Sequence, residues 1–260
     1  MKSVASRDNA AYRSLAKLAA SAAERRKRGL SVIEGVHLVE ACLDAGHPVA
    51  QLFAARRALA DGRLQGLLAR APGTEPIALA DALFDAVSGV ESPAGVLALV
   101  PTPAGRPVPP AASFCLALED VQDPGNVGTL LRSAAAAGVG HVLLSRTCAF
   151  AWSPKVLRAG QGAHFALNIV EGADLGGFVS AFAGKTVALC GEAGVSLYET
   201  DLRGPVALLV GNEGAGLSPE LEQAATVRAR IPMPGRAESL NAGVAGSIAL
   251  FEAVRQRGGK

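Results

Sequence analysis

The chain has 260 residues, of which half are apolar and 18% are charged, and its formal net charge at pH 7 is +2. This composition describes a folded protein of about two ordinary domains and excludes a disordered or fibrous chain. No apolar run reaches the roughly 18 residues of a membrane span. No apolar signal core follows the basic N-terminus, so we expect a cytoplasmic protein.

The first predicted element is a basic helix over about residues 10–28, which Gly29 ends as a C-terminal stop. Residues 1–30 contain eight basic side chains and two acidic ones, and four basic residues are consecutive: Arg25, Arg26, Lys27 and Arg28. Basic charge concentrated on a near-neutral chain is typical of a protein whose partner is rich in phosphate, such as RNA. A solvated helix face gives the same pattern, so this segment alone leaves both interpretations open.

Short apolar runs alternate with helix-like segments in the rest of the first hundred residues, which favours a small α/β domain. The predicted strands are Leu30–Ile33, Val49–Ala54, Pro76–Ala80 and Val96–Val100, with predicted helices at Gly35–Ala45 and Asp81–Val87. Residues 101–110 contain five prolines and therefore predict an extended connector. We expect one domain over 1–100 and a second over 111–260.

The second domain alternates more plainly between strands and helices. Continuously apolar strands separated by helices indicate a mostly parallel sheet with helices on both faces. In such sheets ligands bind beyond the carboxyl ends of the strands, which directs attention to the loops after residues 118, 210 and 231. The predicted strands are Phe114–Leu118, His141–Leu144, Ala166–Val170, Thr186–Cys190 and Val206–Val210, and the predicted helices are Val127–Ala137 and segments near 153–159, 174–183, 218–225 and 240–256.

The loop after residue 118 contains DPGNVGTLLRSA, residues 123–134. Asn126 follows a Pro-Gly turn signal and stands where a helix N-cap is expected. Arg132 lies nearly two helical turns further on, where a guanidinium could clamp a phosphate with two hydrogen bonds. A capped helix with a surface arginine is the alternative interpretation.

The loop after residue 210 contains LLVGNEGAGLSPEL, residues 208–221. Its glycines, Gly211, Gly214 and Gly216, permit a close approach of the backbone to a ligand. Their spacing differs from the dinucleotide-binding fingerprint, which disfavours a dinucleotide-dependent oxidoreductase. Glu213 is a carboxylate inside this loop, and it is either solvated or part of a site.

The third loop contains IPMPGRAESLNAGVA, residues 231–245. Pro232 and Pro234 predict an extended backbone after a strand. Ser239 precedes a long apolar helix and could simply be its N-cap. Asn241 falls inside the predicted first turn, where helix propensity does not explain it. Each loop is weak evidence by itself.

Together the three loops resemble, in order and spacing, the signature motifs of the SpoU/TrmH branch of the SPOUT methyltransferases. The likeness covers nearly all of residues 114–256. KRGLSVIEGVHLVEACLDAG, residues 27–46, resembles more loosely the ribosomal-protein-like domain that binds RNA substrates in front of many members. The resemblance implies a C-terminal α/β knot, S-adenosylmethionine as the cofactor, and a homodimer in which both subunits contribute to each active site.

The resemblance also implies roles for particular residues. The main chain at Gly211, Ile231 and Leu240 would hold the adenosine end of the cofactor, beside Val210, Asn212 and Met233. Five residues would surround the transferred methyl group and the target ribose: Asn126, Arg132, Glu213, Ser239 and Asn241. Arg132 would remove the ribose proton or, because a guanidinium almost always keeps its own proton, bind the neighbouring phosphate. Arg25, Arg26, Lys27 and Arg28 would bind RNA.

The expected reaction is S-adenosylmethionine-dependent methylation of a ribose 2′-hydroxyl in structured RNA, with large-subunit (23S) ribosomal RNA favoured as the substrate. A transfer-RNA 2′-O-methyltransferase is one alternative, and an RNA-binding module without catalytic activity is another. The four cysteines and four histidines are scattered along the chain. We therefore expect reduced thiols and no metal site.

Overall fold

The computed structural model of the chain describes residues 1–71 and 73–258, which divide into two compact units. Unit 1 consists of the described residues of Met1–Pro103 together with Trp152–Phe165. Unit 2 consists of Ala104–Ala151 and the described residues from Ala166 onward. The first part of unit 1 ends inside the proline-rich stretch predicted as a connector, whereas Trp152–Phe165 packs with unit 1 although it lies far along the chain.

Unit 1 is built on a mixed sheet whose strand order is β1-β4-β3-β5-β2. β1, β4 and β3 are parallel neighbours, and β5 runs antiparallel to both β3 and β2. Leu15 and Leu18 are fully buried in a core that also contains Phe53 and Phe84. The strands are β1 (Lys2–Val4), β2 (Leu30–Glu34), β3 (Gln51–Ala55), β4 (Ile77–Leu79) and β5 (Val96–Pro101), and the helices are α1 (Ala10–Ala20), α2 (Ala22–Arg28), α3 (Val36–Asp44), α4 (Gly62–Ala69), α5 (Asp81–Asp85) and α7 (Pro154–Gly160).

The basic N-terminal segment forms two helices instead of the single helix predicted over residues 10–28. Ser21 has extended backbone angles, so it ends α1 and begins α2. Its hydroxyl accepts the N–H of Glu24 at 3.2 Å, which is the usual bond of a serine N-cap. Gly29 ends α2 with a left-handed φ of 58°, as the sequence predicted.

Arg25 lies apart from the basic residues that follow it. Its side chain is buried, and its Nη1 donates to the main-chain carbonyls of Leu18 at 2.6 Å and Ala19 at 3.0 Å. These carbonyls lie in the last turn of α1, where a helix has unsatisfied acceptors and a partial negative charge. The expected exposed basic segment therefore does not include Arg25, which holds α1 and α2 together.

Unit 2 is built on a sheet of order β10-β12-β9-β11-β6-β7-β8, in which every neighbouring pair is parallel. The predicted α/β class with a parallel sheet is confirmed, and three predicted strands have the observed bounds. The strands are β6 (Phe114–Leu118), β7 (His141–Leu144), β8 (Asn168–Glu171), β9 (Lys185–Leu189), β10 (Val195–Ser196), β11 (Val206–Val210) and β12 (Val227–Arg230), and the helices are α6 (Pro124–Ala136), α8 (Leu175–Ala181), α9 (Pro219–Ala224) and α10 (Ala242–Gln256).

Both faces of the unit 2 sheet are covered by helices. Cys115 and Leu209 share an apolar cluster with Leu175 of α8 and Leu221 of α9. Since successive strand residues point to opposite faces, α6 and α10, which pack on each other, cover the other side, where α10 also packs on β11. Burial on both faces explains why these strands are continuously apolar instead of alternating.

The four cysteines are free thiols. Burial raises the pKa of both Cys42 and Cys115 to about 12, so these thiols stay protonated at neutral pH. Among residues 1–71 and 73–258, no cluster of three His, Cys, Asp or Glu side chains could hold a metal ion. Nor does any helix in those ranges have the length and apolarity needed to cross a membrane.

Candidate active site

A cavity of about 560 Å³ opens at the carboxyl ends of β9, β11 and β12 in unit 2. Its position agrees with the rule that ligands bind beyond the strand ends of a parallel sheet. Its volume is in the range of cofactor and small-molecule sites. All six residues predicted to bind the cofactor line it: Val210, Gly211, Asn212, Ile231, Met233 and Leu240.

The loop after β11 is a tight turn that brings its backbone to the edge of the cavity. Asn212 and Gly216 exchange two main-chain hydrogen bonds, at 2.8 and 3.0 Å, and Gly216 has a left-handed φ of 74°. A methyl group on Gly211 would overlap the backbone of Gly216 and Leu217. Glycine at position 211 is therefore required by the close approach of two backbone segments.

The side chain of Asn212 holds this loop in shape. Its Oδ1 accepts the N–H groups of Gly214 at 2.9 Å and Ala215 at 3.0 Å. Its Nδ2 donates to the main-chain carbonyl of Asp120 at 2.9 Å. The amide therefore fixes the loop internally and also ties it to the loop that follows β6.

Glu213 makes the second connection between these two loops. Its carboxylate accepts from Asn126 Nδ2 at 2.9 Å and from the main-chain N–H groups of Asp123 at 3.1 Å and Gln122 at 3.4 Å. Partial burial acts to raise the pKa of Glu213, but the hydrogen bonds from Asn126 and the main chain outweigh it and hold the pKa below its usual value. The carboxylate is therefore ionised at neutral pH.

Two asparagines occupy helix positions different from the predicted ones. Asp123 is the N-cap of α6 and its Oδ1 accepts the N–H of Asn126 at 2.8 Å, so the side chain of Asn126 is available to Glu213. Asn241 is the N-cap of α10 and its Oδ1 accepts the N–H of Val244 at 3.2 Å. The interpretation of Ser239 as a cap is wrong, and capping explains an asparagine at 241.

The three motif loops meet next to the first turn of α10. A methyl group on Gly243 would lie 3.1 Å from Asn241 Oδ1 and 3.2 Å from Asn126 Oδ1. Ser239 is exposed and lines the cavity, as does Glu213. Arg132 is exposed on α6 and lies outside the cavity lining. Contacts and the cavity lining thus connect Asn126, Glu213, Ser239 and Asn241, whereas Arg132 takes part in neither within residues 1–71 and 73–258.

Two acidic residues that the sequence analysis did not single out also hold the site loops. Glu119 accepts the N–H of Ser218 at 2.7 Å and its hydroxyl at 2.8 Å, which fixes the start of α9. Asp120 has a left-handed φ of 53°, and its carboxylate accepts from Asn212 Nδ2 at 3.3 Å. Their position directly after a buried parallel strand was the available signal, because such strand ends surround the ligand site.

A parallel α/β unit with a ligand-sized cavity at its strand ends, bordered by interlocked polar loops, defines a cofactor-binding α/β enzyme. Residues 113–251 match the model of the SpoU rRNA Methylase family. Residues 9–98 match the MRM3-like substrate binding domain. The chain belongs to the SpoU rRNA methylase family, so the resemblance seen in the three motifs is confirmed.

Named relatives and a solved structure agree with this assignment. The chain is 33% identical over 231 residues to the 23S rRNA (guanosine(2553)-2′-O)-methyltransferase RlmP of Bacillus subtilis (strain 168), with 88% of this chain and 90% of the relative covered. It is 44% identical over 148 residues to the 23S rRNA (guanosine-2′-O-)-methyltransferase RlmB of Xylella fastidiosa (strain 9a5c), with 56% and 59% covered. The crystal structure of an AdoMet-bound rRNA methyltransferase from Sinorhizobium meliloti has a TM-score of 0.86 at 30% identity, with 98% of this chain and 97% of that one covered.

Proposed function

We propose that this chain transfers the methyl group of S-adenosylmethionine to a ribose 2′-hydroxyl of 23S ribosomal RNA. The observation that carries the proposal is the cavity at the strand ends, which the second and third motif loops line and to which the first is tied by the hydrogen bond of Asn126 to Glu213. The likeness to a 23S rRNA methyltransferase over 88% of the chain supports the substrate class. Such a substrate places the enzyme where ribosomes are assembled, in the cytoplasm.

The cavity suits the cofactor. The backbone at Gly211 borders the cavity without a side chain, so the main chain at Gly211, Ile231 and Leu240 would hold the adenosine end. Val210, Asn212 and Met233 would complete this part of the site. S-adenosylmethionine, when bound, supplies an electrophilic methyl group on a sulfonium sulfur. The interlocked loops would contribute by alignment, because displacement at carbon requires the attacking oxygen, the carbon and the sulfur in line.

The polar loop residues would receive the ribose. Asn126, Glu213 and Asn241 converge beside the cavity, and Ser239 lines it. Glu213 is ionised but already accepts three hydrogen bonds, so we assign it to holding the loops and polarising the site rather than to proton removal. Arg132 would bind the phosphate next to the target nucleotide or, with that phosphate, assist removal of the hydroxyl proton.

Replacement of Arg132 tests its part in the reaction. We expect Arg132→Ala to reduce methylation by at least about a hundredfold, the usual scale for loss of a positioned polar group in catalysis. Binding of S-adenosylmethionine should be unchanged, because Arg132 lies outside the cavity lining. Arg132→Lys keeps the charge without the two-pronged geometry and should be intermediate. Transfer of labelled methyl groups to 23S RNA and calorimetric cofactor binding measure both effects, and near-normal turnover by Arg132→Ala would exclude the residue from the mechanism.

The function itself is tested by mapping ribose methylations in RNA from cells with and without this gene. The proposal expects one methylation of 23S ribosomal RNA to disappear and to return when the purified enzyme is added with S-adenosylmethionine. Loss of a transfer-RNA methylation instead would support the transfer-RNA alternative. No change in any RNA, together with no transfer in vitro, would favour an RNA-binding module without catalytic activity.

We further propose that residues 1–100 bind the RNA substrate, 101–110 connect the domains and 111–260 carry out methyl transfer. The match of residues 9–98 to a substrate-binding domain supports the first assignment. The likeness to a ribosomal protein stays a prediction. Arg26, Lys27 and Arg28 are exposed and remain proposed RNA contacts, whereas the buried Arg25 is left out.

A C-terminal knot and a homodimer complete the proposal. β12 lies on the far side of β9 from β11 in the sheet. The chain then returns, because α10 packs against β11 and α6. A C-terminal segment threaded through a loop has to make such a return. An experimental structure whose backbone path is topologically unknotted would exclude the knot. Val244 and Phe251 are about half exposed and lie two turns apart on α10, which supports an apolar face for a second subunit.

A further inference from the structure

Two groups of exposed cations in unit 1 differ in their partners. In the first group, each of three arginines lies against a carboxylate, which offsets its charge. These ion pairs are Arg57 with Asp85, Arg63 with Glu40, and Arg70 with Asp44. The second group lies on α1 and α2, where Arg13, Lys17 and Arg28 form no ion pair within residues 1–71 and 73–258. The first two helices therefore carry three cations whose charge no ion pair of the described residues offsets.

These three cations border one groove of about 610 Å³. Arg13 and Lys17 are one turn apart and therefore lie on the same face of α1. Arg28 comes from the end of α2, and its Nη1 donates to Ser14 Oγ at 2.8 Å, which directs its guanidinium back to α1. All three cationic side chains belong to exposed residues. Glu24 also lines the groove but lies more than 4 Å from each cation, beyond ion-pair distance.

Three like charges gathered at one groove repel one another, so an anionic ligand that binds all three is favoured electrostatically. The lining offers guanidinium and ammonium donors, one serine hydroxyl, one alanine and the single carboxylate of Glu24, with no aromatic side chain on which a base could stack. Such a surface suits the phosphates of a nucleic-acid backbone and gives no means of reading its sequence.

We propose that Arg13, Lys17 and Arg28 form a phosphate-binding groove that holds the backbone of structured RNA, independently of base sequence. The inference rests on the proposed function, because it takes RNA as the substrate and assigns to α1 and α2 the task of holding it. It adds Arg13 and Lys17, which the sequence did not single out. Choice of the target nucleotide then falls to the shape of the RNA and to unit 2.

The test measures binding of a fluorescent RNA hairpin of about 20 base pairs, long enough for a backbone-reading domain, at a series of salt concentrations. Each lost phosphate contact lowers the slope of log K against log salt by about 0.9. In the full-length triple variant Arg13→Gln, Lys17→Gln and Arg28→Gln, the magnitude of this slope should therefore fall by about two to three. The variant should also bind the hairpin at least about tenfold more weakly at low salt. Its circular dichroism spectrum and denaturant midpoint should equal those of the parent chain, which would show that the fold is intact.

The paired arginines provide a matched control. Arg57→Gln, Arg63→Gln and Arg70→Gln removes the same number of charges from the same unit and should leave the slope nearly unchanged. An equal fall of the slope in both triple variants, or a fall in neither, would overturn the proposal that the groove binds RNA. Displacement of the hairpin by polyglutamate as effectively as by unlabelled RNA would also overturn it, in favour of an acidic protein partner. Failure of the methyltransferase proposal is distinguishable, because a chain that methylates no RNA could still show the groove-specific loss of slope.

Discussion

Asp120, in the loop after β6, is a non-glycine residue with a left-handed backbone, at a φ of 53°. A left-handed conformation costs a non-glycine residue about 1 kcal/mol or more, and aspartate and asparagine tolerate it better than alanine. Its N–H donates to Ser145 Oγ at 3.0 Å, while its carbonyl and carboxylate both accept from Asn212. Since Asn212 in turn holds the main chain of residues 214 and 215, the conformation of the cofactor loop depends on Asp120.

We expect Asp120→Ala to raise the KM for S-adenosylmethionine by roughly tenfold, the equivalent of about one hydrogen bond, and to change kcat less. Asp120→Asn should restore most of the affinity, because asparagine keeps both an acceptor oxygen and tolerance of the left-handed backbone. Steady-state kinetics on 23S RNA measure both constants. Equal effects of the alanine and asparagine variants, or a change confined to kcat, would contradict this positioning role.

Helix caps show what residue patterns alone could predict in the site. The sequence predicted helices over Val127–Ala137 and near 240–256, close to the observed α6 and α10, but it assigned the cap of α6 to Asn126 and offered Ser239 as the cap of α10. Several cap-forming residues stand within a few positions of each helix start, so local preference does not decide among them. The side chain of Asn126 bonds to Glu213, so Asp123 serves as the cap of α6 instead. A local pattern does not reveal this contact, because it joins residues 87 positions apart.

At the scale of elements, the packing of α10 on α6 aligns two of the site loops. Glycine inside a helix normally costs about 1 kcal/mol relative to alanine, yet α10 has Gly246 in its second turn. A methyl group there would overlap the side chain of Leu130 and lie 3.2 Å from Val210 Cγ2. The close contact between helix and sheet therefore outweighs helix propensity at this position.

We expect Gly246→Ala to destabilise the protein by about 1–3 kcal/mol through overpacking, although alanine favours helix. Gly66 in α4 is the matched control, because a methyl group there meets nothing within 4 Å. Gly66→Ala should be neutral or stabilising by up to about 1 kcal/mol. Denaturant unfolding of the two full-length variants compares these effects, and stabilisation by both substitutions would show that the helix contact is looser than described.

The strong apolar strands were predictable, whereas short or mixed elements were not. Phe114–Leu118 and Val206–Val210 are buried on both faces, so their composition alone identifies them. β1 and β10 have three and two residues, too few for a periodic pattern. α4 was not predicted, because Gly62 and Gly66 lower its intrinsic helix propensity. The helix is stabilised instead by the burial of Leu64 and Leu67.

At the scale of the whole molecule, the order of strands in unit 2 could not be read from composition. The strand sequence along the chain does not state that β11 lies between β9 and β6, although this order is what places the three motif loops together. The family resemblance implied that residues of the three loops share one site, but it was not used to predict the strand order. It did not foretell that Trp152–Phe165 packs with unit 1, because the pattern of that segment is compatible with either unit.

In the proposed dimer, Arg132 would act in the active site of the partner subunit. Within its own chain it does not line the cavity. Arg132 lies on the exposed stripe of α6 with Thr129 and Ala136, and α6 packs on α10, which bears the half-exposed Val244 and Phe251. A second subunit docked on this surface would receive Arg132 at its own site. We therefore expect the protein to have twice the mass of its 26.3 kDa chain by light scattering, and Phe251→Asp to make it monomeric and inactive. Tyr198→Ser, a change at an equally exposed aromatic residue on another element, should leave the dimer intact.

Mixing two inactive variants tests whether Arg132 acts across the subunit boundary. Arg132→Ala keeps an intact cofactor cavity, and Gly211→Val keeps Arg132 but forces a side chain into the backbone of the cofactor loop. If Arg132 serves the partner's site, a mixed dimer contains one complete site, and co-refolding the two variants restores part of the methylation. If Arg132 serves its own chain, both sites of the mixed dimer are defective and the mixture stays inactive. Successive affinity purification of two differently tagged variants isolates the mixed dimer, and lack of activity in that dimer would place Arg132 in its own subunit's site.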